Sequence, residues 1–270
     1  MSEHNIKSID LLVVNLYPFE ETLANNSPHE ELVENIDIGG PTMLRSAAKN
    51  YQWSAPVVNP TRYREIIQIL KENNKCINEG YRAVLAGEVF GHTAYYDSII
   101  SKYFRDYNKI EFPEKLTIAM PLEQILRYGE NPYQQASFYE DLFVNESCVA
   151  NAKQLQGKEL SFNNILDIDA AFELVKDFDR PAAAVIKHTN PCGVASASTI
   201  EEAYKKAHET DPLSAFGSIV ALNRNCNEAT AKIMKPLFIE VVICQKFEKG
   251  ALEILKEKKN LRLMETGAVK

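Results

Sequence analysis

Residues 9–16 form a nearly continuous apolar run, Ile9, Leu11, Leu12, Val13, Val14 and Leu16, broken by one aspartate and one asparagine. Such a run predicts a strand covered on both faces, of the kind found in parallel sheets. Ser27, Pro28 and Glu30 then have the spacing of a capping box with proline at the first helical position, opening a helix that carries Leu32, Val33 and Ile36. A further helix follows Gly39, Gly40 and Pro41, with Met43, Leu44, Ala47 and Ala48 on its apolar face. Asn59-Pro60 opens another, with Ile66, Ile67 and Leu70 at helical spacing, and residues 81–104 read as a long one.

Helical periodicity lapses over residues 105–124, which contain Pro113 and Pro121. The boundary is therefore expected there, giving domains of residues 1–115 and 116–270. Beyond it helices at 164–178, 199–208, 227–234 and 250–259 alternate with strands at 182–186, 219–222, 240–244 and 261–264. Ser198 and Glu201 suggest a capping box for the second of these helices. Strict alternation of strand and helix makes this an α/β domain.

Hydrophobic residues are 45% of the 270-residue chain, enough for the cores of two modest domains. A net charge of -7 argues against broad binding to nucleic acid or membrane surfaces, both polyanions, so an anionic substrate would need a local cluster of cations and backbone donors. No apolar run reaches membrane-spanning length, which makes a cytoplasmic location the expectation. Cys76, Cys148, Cys192, Cys226 and Cys244 are scattered and odd in number, so reduced thiols packed as small hydrophobes are expected.

Candidate chemistry sits at five places. Gly39 and Gly40 permit close approach to backbone, and the helix N-terminus that they and Thr42 open offers unpaired N–H groups to an anion; Arg45 and Lys49 share one face of that helix. Tyr17 follows a buried strand at its carboxyl end, and Asp37 precedes the paired glycines. Arg127 and Tyr128 lead a turn rich in glycine, asparagine and proline, where a guanidinium can grip a phosphate and a phenol ring can stack on a heterocycle; a plain interdomain turn fits the composition equally. Phe216 and Gly217, among small residues, suit a loop against a flat ligand or a tight packing corner.

The sharpest feature is Lys187-His188 at the end of a strand of small and β-branched residues. In a continuing strand the two side chains would face opposite ways, so joint action needs the strand to end or twist there, and Asn190-Pro191 is the expected ending. The histidine followed by Pro191-Cys192 invites comparison with zinc deaminases, which need H-x-E and P-C-x-x-C. Asn190 stands where the glutamate should be and Ala195 where the second cysteine should be, so no metal is expected.

Taken in order, NLYPFEET, IDIGGPTMLRSAAKN, HTAYYD, LRYGENPYQ, QLQGKELSFNN, KHTNPCGVA and DPLSAFG resemble the bifunctional AICAR transformylase/IMP cyclohydrolase family of purine biosynthesis, over essentially the whole chain. The resemblance implies a partial methylglyoxal-synthase-like cyclohydrolase domain followed by the first part of a cytidine-deaminase-like transformylase domain without zinc. By similarity Tyr17, Asp37 and Lys49 fall on cyclohydrolase active-site positions, Arg127 and Tyr128 on nucleotide-binding positions, and Lys187 and His188 on the catalytic pair. The implied substrates are AICAR, 10-formyltetrahydrofolate as co-substrate, and formyl-AICAR closing to IMP; the implied assembly is a homodimer.

Against that pattern, the family's opening strand and helix, its Ser-Thr-Gly-Gly-Thr loop and its Lys-Thr-Leu-His-Pro segment are missing before Ile9, and the second transformylase half is missing after residue 265. Tyr133 replaces a usual histidine and Ser218 a usual glycine. Both active sites are thus expected to be incomplete in this chain alone, with a non-catalytic folding or dimerisation unit as the alternative.

Overall fold

In the computed structural model, which describes residues 7–142, 144 and 146–268, the chain divides into two compact units, Met1–Met120 and Pro121–Lys270. In the first unit β1 (Leu11–Val13) leads through α1 (Phe19–Ala24), α2 (His29–Glu34) and α3 (Gly39–Lys49) to β2 (Ala55–Val57), and α4 (Tyr63–Glu72) and the long α5 (Glu79–Tyr107) complete it. β1 and β2 pair in parallel, Leu12 opposite Pro56. Leu12, Val14 and Leu16 pack against Leu44 and Ala48 of α3 and Val89 of α5, while Ala55 and Val57 bury against Ile66 and Leu85.

Two sequence expectations are corrected here. The run at residues 9–16 is covered on one face only: Leu11 and Val13 remain 39% and 48% exposed, because among the described residues β1 has a single strand neighbour and nothing packs over its outer side. The Ser27 capping box does not form; α2 starts at His29 with Pro28 at the cap and no side-chain cap bond, and its stability comes from Leu32 in the core.

In the second unit β3 (Leu122–Leu126) and β4 (Ala136–Tyr139) form a separate hairpin. β5 (Lys153–Gln156), α6 (Phe162–Lys176), β6 (Ala182–Lys187), β7 (Asn190–Ser196), α7 (Ile200–Thr210), β8 (Ser218–Leu222), α8 (Glu228–Met234), β9 (Ile239–Cys244), α9 (Lys249–Lys256) and β10 (Arg262–Glu265) follow. Their sheet has the order β5-β10-β9-β8-β6-β7. β8, β9 and β10 are parallel, whereas β6 runs antiparallel to both β8 and β7. The fold is mixed α/β.

Side-chain alternation assigns the two sheet faces. Ala184, Ile186, Ile219, Ala221, Val241 and Ile243 pack on Ile168, Phe172 and Val175 of α6. Their neighbours Ala183, Val185, Val220, Leu222 and Val242 pack on Tyr204 of α7, Met234 of α8 and Leu255 of α9. Strands buried on both faces read as continuous apolar runs for this reason.

The strict alternation read from sequence is interrupted by β7, and Asn190-Pro191 begins that strand instead of ending β6. β7 is one of the two terminal strands of the sheet, where a proline without an N–H is tolerated. The cap of α7 is Thr199, whose side chain accepts from Glu202 N–H; Ser198 bonds the Glu202 carboxylate, one residue away from the expected Ser198/Glu201 pairing. Only Cys226 and Cys244 are buried hydrophobes; Cys148 and Cys192 are half-buried and Cys76 is exposed. Burial pushes the Cys226 thiol up to about 12, so it remains an inert S–H at neutral pH.

Candidate functional site

In the first unit Asp37 organises the entry to α3. Its Oδ1 accepts Gly40 N–H at 2.7 Å and its Oδ2 accepts Tyr17 N–H at 3.3 Å. The Tyr96 hydroxyl, kept protonated by burial that raises its pKa, accepts Asp37 N–H and donates to Asn35 O. A Cβ on Gly40 would lie 2.5 Å from Asp37 Oδ2 and 2.7 Å from Leu16, which is why glycine stands there.

Tyr17 and Asp37 are thereby brought together, with the Tyr17 ring exposed. One of the N–H groups that could face an anion is already engaged by Asp37 itself, and the Thr42 hydroxyl turns back to Ile38 O. Gly39 has open space around its Cα. Lys49 is exposed in the last turn of α3, about 15 Å of helical rise from Gly39, so it is not brought to Tyr17 and Asp37. Thr42 and Met43 line a cleft of about 850 Å³ with Leu12, Ile9 and Trp53.

In the second unit the candidate residues collect at one end of the sheet. Antiparallel pairing of β6 with β8 sets the carboxyl end of β6 beside the amino ends of β8 and β9. Lys187 closes β6 and its Nζ donates to Phe216 O at 3.0 Å. His188 and Thr189 form the two-residue turn into β7, at φ 54° and 59°. Paired positive φ values suit a tight hairpin turn, yet neither residue is glycine, a cost of about 1–3 kcal/mol each. The turn is what frees His188 from the strand geometry: its side chain is exposed and has no hydrogen-bond partner among the described residues.

Next to Lys187, Gly217 takes φ 74° and donates to Phe238 O, and the Phe216 and Phe238 rings lie 4.9 Å apart. Arg127 is exposed with its guanidinium 5.7 Å from the Tyr128 ring centroid, in a turn closed by Gly129 N–H to Gln134 O.

The first turns of α6 connect these pieces. Ser161 and Asn164 form its capping box. Asn163 donates to Glu130 O in the Arg127 turn, Asn164 donates to Glu240 Oε2 at 3.2 Å, and Asp167 accepts Thr189 N–H at 2.7 Å. Asn163 and Asp167 are four residues apart, so the Arg127 turn and the His188 turn are tied to anchor points separated by about 6 Å of rise on one face of a helix. Arg262 at the start of β10 lies 4.0 Å from Glu240 and donates to Lys158 O; burial, with Arg127 adding repulsion, lowers its pKa. Glu240, Arg262, Lys158, Lys258 and Phe238 border a cleft of about 490 Å³ on this flank.

Asn164, Asp167, Glu240 and Arg262 were not singled out from sequence. Glu240 carried a signal, being the one charged residue of an otherwise apolar strand. Among the described residues no group of three or more His, Cys, Asp or Glu could hold a metal ion, and no helix is long and apolar enough to cross a membrane.

Comparison with known proteins supplies the family. Residues 47–270 match the AICARFT/IMPCHase bienzyme family. The bifunctional purine biosynthesis protein PurH of Acetivibrio thermocellus is 48% identical over 267 residues, covering 98% of this chain and 52% of that protein. PurH of Bacillus cereus (strain G9842) is 51% identical over 265 residues, covering 98% and 52%. The chain thus spans about half the length of the curated relatives it matches.

Proposed function

Because the chain belongs to the AICARFT/IMPCHase bienzyme family, we propose that the unit Pro121–Lys270 carries the nucleotide and formyl-transfer residues of an AICAR transformylase, and the unit Met1–Met120 part of the IMP cyclohydrolase. The first would be cytidine-deaminase-like without zinc and the second methylglyoxal-synthase-like, in a cytoplasmic homodimer. The observation that supports the reading best is the beginning of α6, which ties the Arg127 turn and the His188 turn to anchor points one helical turn apart.

In this reading Arg127 holds the AICAR phosphate, Tyr128 and Phe216 flank flat parts of the ligand, and Glu240 offers carboxylate oxygens to amino groups. The 5-amino group of AICAR is a weak nucleophile, conjugated to the ring and its carboxamide. It attacks the formyl carbon of 10-formyltetrahydrofolate while the bond from that carbon to folate N10 breaks. His188 takes the amine proton, and Lys187, steadied by Phe216 O, protonates the departing N10. In ring closure the carboxamide nitrogen attacks the formyl carbon and water leaves, with Asp37 and Tyr17 orienting the ligand and moving protons.

Calorimetric titration of the chain with AICAR tests the assignment. Arg127→Ala is expected to weaken binding roughly 10- to 100-fold, the loss of charge-assisted phosphate bonds worth about 1.5–3 kcal/mol. Equal affinity in both proteins, or no binding by the unsubstituted chain, would contradict it.

A further inference from the structure

Thr189 is a β-branched residue at φ 59°, directly after His188 at φ 54°. β-branched side chains are the least at ease in this region, so something outside the turn must hold it there. Within the turn, Thr189 Oγ1 and Asn190 Nδ2 both donate to His188 O at 2.7 and 2.8 Å. Neither bond reaches beyond the hairpin. The tie to the rest of the fold is the 2.7 Å bond from Thr189 N–H to Asp167 Oδ1. Asp167 is half-buried one residue before Ile168, which is fully buried against the sheet, so its backbone cannot drift.

We propose that Asp167 is a positioning residue for formyl transfer: by taking the Thr189 N–H it locks the His188-Thr189 turn in its left-handed form and so sets where the His188 imidazole stands. The proposal rests on the role given to His188 above. A carboxylate suits this task because its bond to a backbone N–H is charge-assisted and stronger than a neutral one. Asp167 touches no substrate in this arrangement; it acts through the backbone of its neighbour.

The test compares Asp167→Ala, Asp167→Asn and the double variant Asp167→Ala/Thr189→Gly. Amide hydrogen exchange is followed by NMR in this chain, and formyl transfer in the polypeptide extended to its relatives' length. Asp167→Ala is expected to speed exchange at Thr189 roughly 10- to 100-fold while the Phe172 and Val175 amides of α6 stay protected. Turnover should fall about 100-fold, the consequence of a misplaced base, with KM for AICAR little changed. Asp167→Asn keeps an acceptor oxygen and should retain most of the activity. Glycine adopts positive φ without strain, so the double variant should recover much of the turnover that Asp167→Ala loses, which a role in α6 stability would not allow. Unaltered Thr189 exchange, or failure of the glycine to restore turnover, overturns the proposal. The failure of the underlying reading is distinguishable, because His188→Ala would then leave formyl transfer intact, whereas an inactive His188→Ala beside a fully active Asp167→Ala removes the positioning claim alone.

Discussion

Replacing His188 by alanine in the polypeptide extended to its relatives' length is expected to lower formyl transfer about 10²- to 10⁴-fold, the range lost with a positioned general base, and to leave ring closure of preformed formyl-AICAR nearly unchanged. The selectivity follows from where the groups lie. His188 belongs to the unit Pro121–Lys270, at a turn where its imidazole is exposed and has no hydrogen-bond partner among the described residues, whereas Tyr17 and Asp37 belong to Met1–Met120. The side chain contributes little to folding, since it fills no part of either hydrophobic cluster of its unit. Loss of folding therefore does not account for loss of turnover. Separate assays of the two half-reactions check this: equal loss in both, or undiminished formyl transfer, would show that His188 has been given the wrong role.

Gly193→Ala should be strongly destabilising, by about 1–3 kcal/mol or more, and visible as a lower urea midpoint with the slope unchanged. Glycine lies here in β7 without a positive φ, so on backbone grounds alone alanine would gain roughly 0.4–1 kcal/mol by restricting the unfolded chain. Contact geometry outweighs that gain. A Cβ at this position would stand 1.9 Å from Ala207 O and 2.8 Å from Thr210 Cβ, and the first of these is helix backbone that cannot swing aside. To relieve the overlap α7 must move off β7, exposing Tyr204 and Ala207 from the centre of the core. Because β7 returns directly from the His188 turn, the same variant should also reduce formyl transfer. A midpoint equal to or above that of the unsubstituted protein would contradict the account.

What could be read from sequence divides along burial. Strands β6, β8 and β9 announce themselves because both faces are covered and nearly every position is apolar. β5, with the sequence KQLQ, and β7, which begins NPCGV, lie at the two ends of the sheet, where polar residues, proline and glycine are tolerated and the pattern resembles a loop. β2 is fully buried but only three residues long and contains Pro56, so no period could form. At the site, Lys187-His188 and Arg127-Tyr128 stand out as compact local motifs. Asn164, Asp167 and Glu240 matter through partners 76 or fewer positions away that only the fold brings near. The left-handed turn at His188-Thr189 also escapes a sequence reading, since a β-branched threonine is rare at positive φ and the turn contains no glycine.

The most direct measurement is the position of AICAR in a crystal of this chain grown with the nucleotide. Its phosphate is expected on Arg127 and its 5-amino group within hydrogen-bond reach of His188, at the carboxyl end of β6. Density instead at the opposite end of the sheet, in the cleft of about 430 Å³ bordered by Lys153, Lys246, Glu265 and Thr266, would contradict that placement.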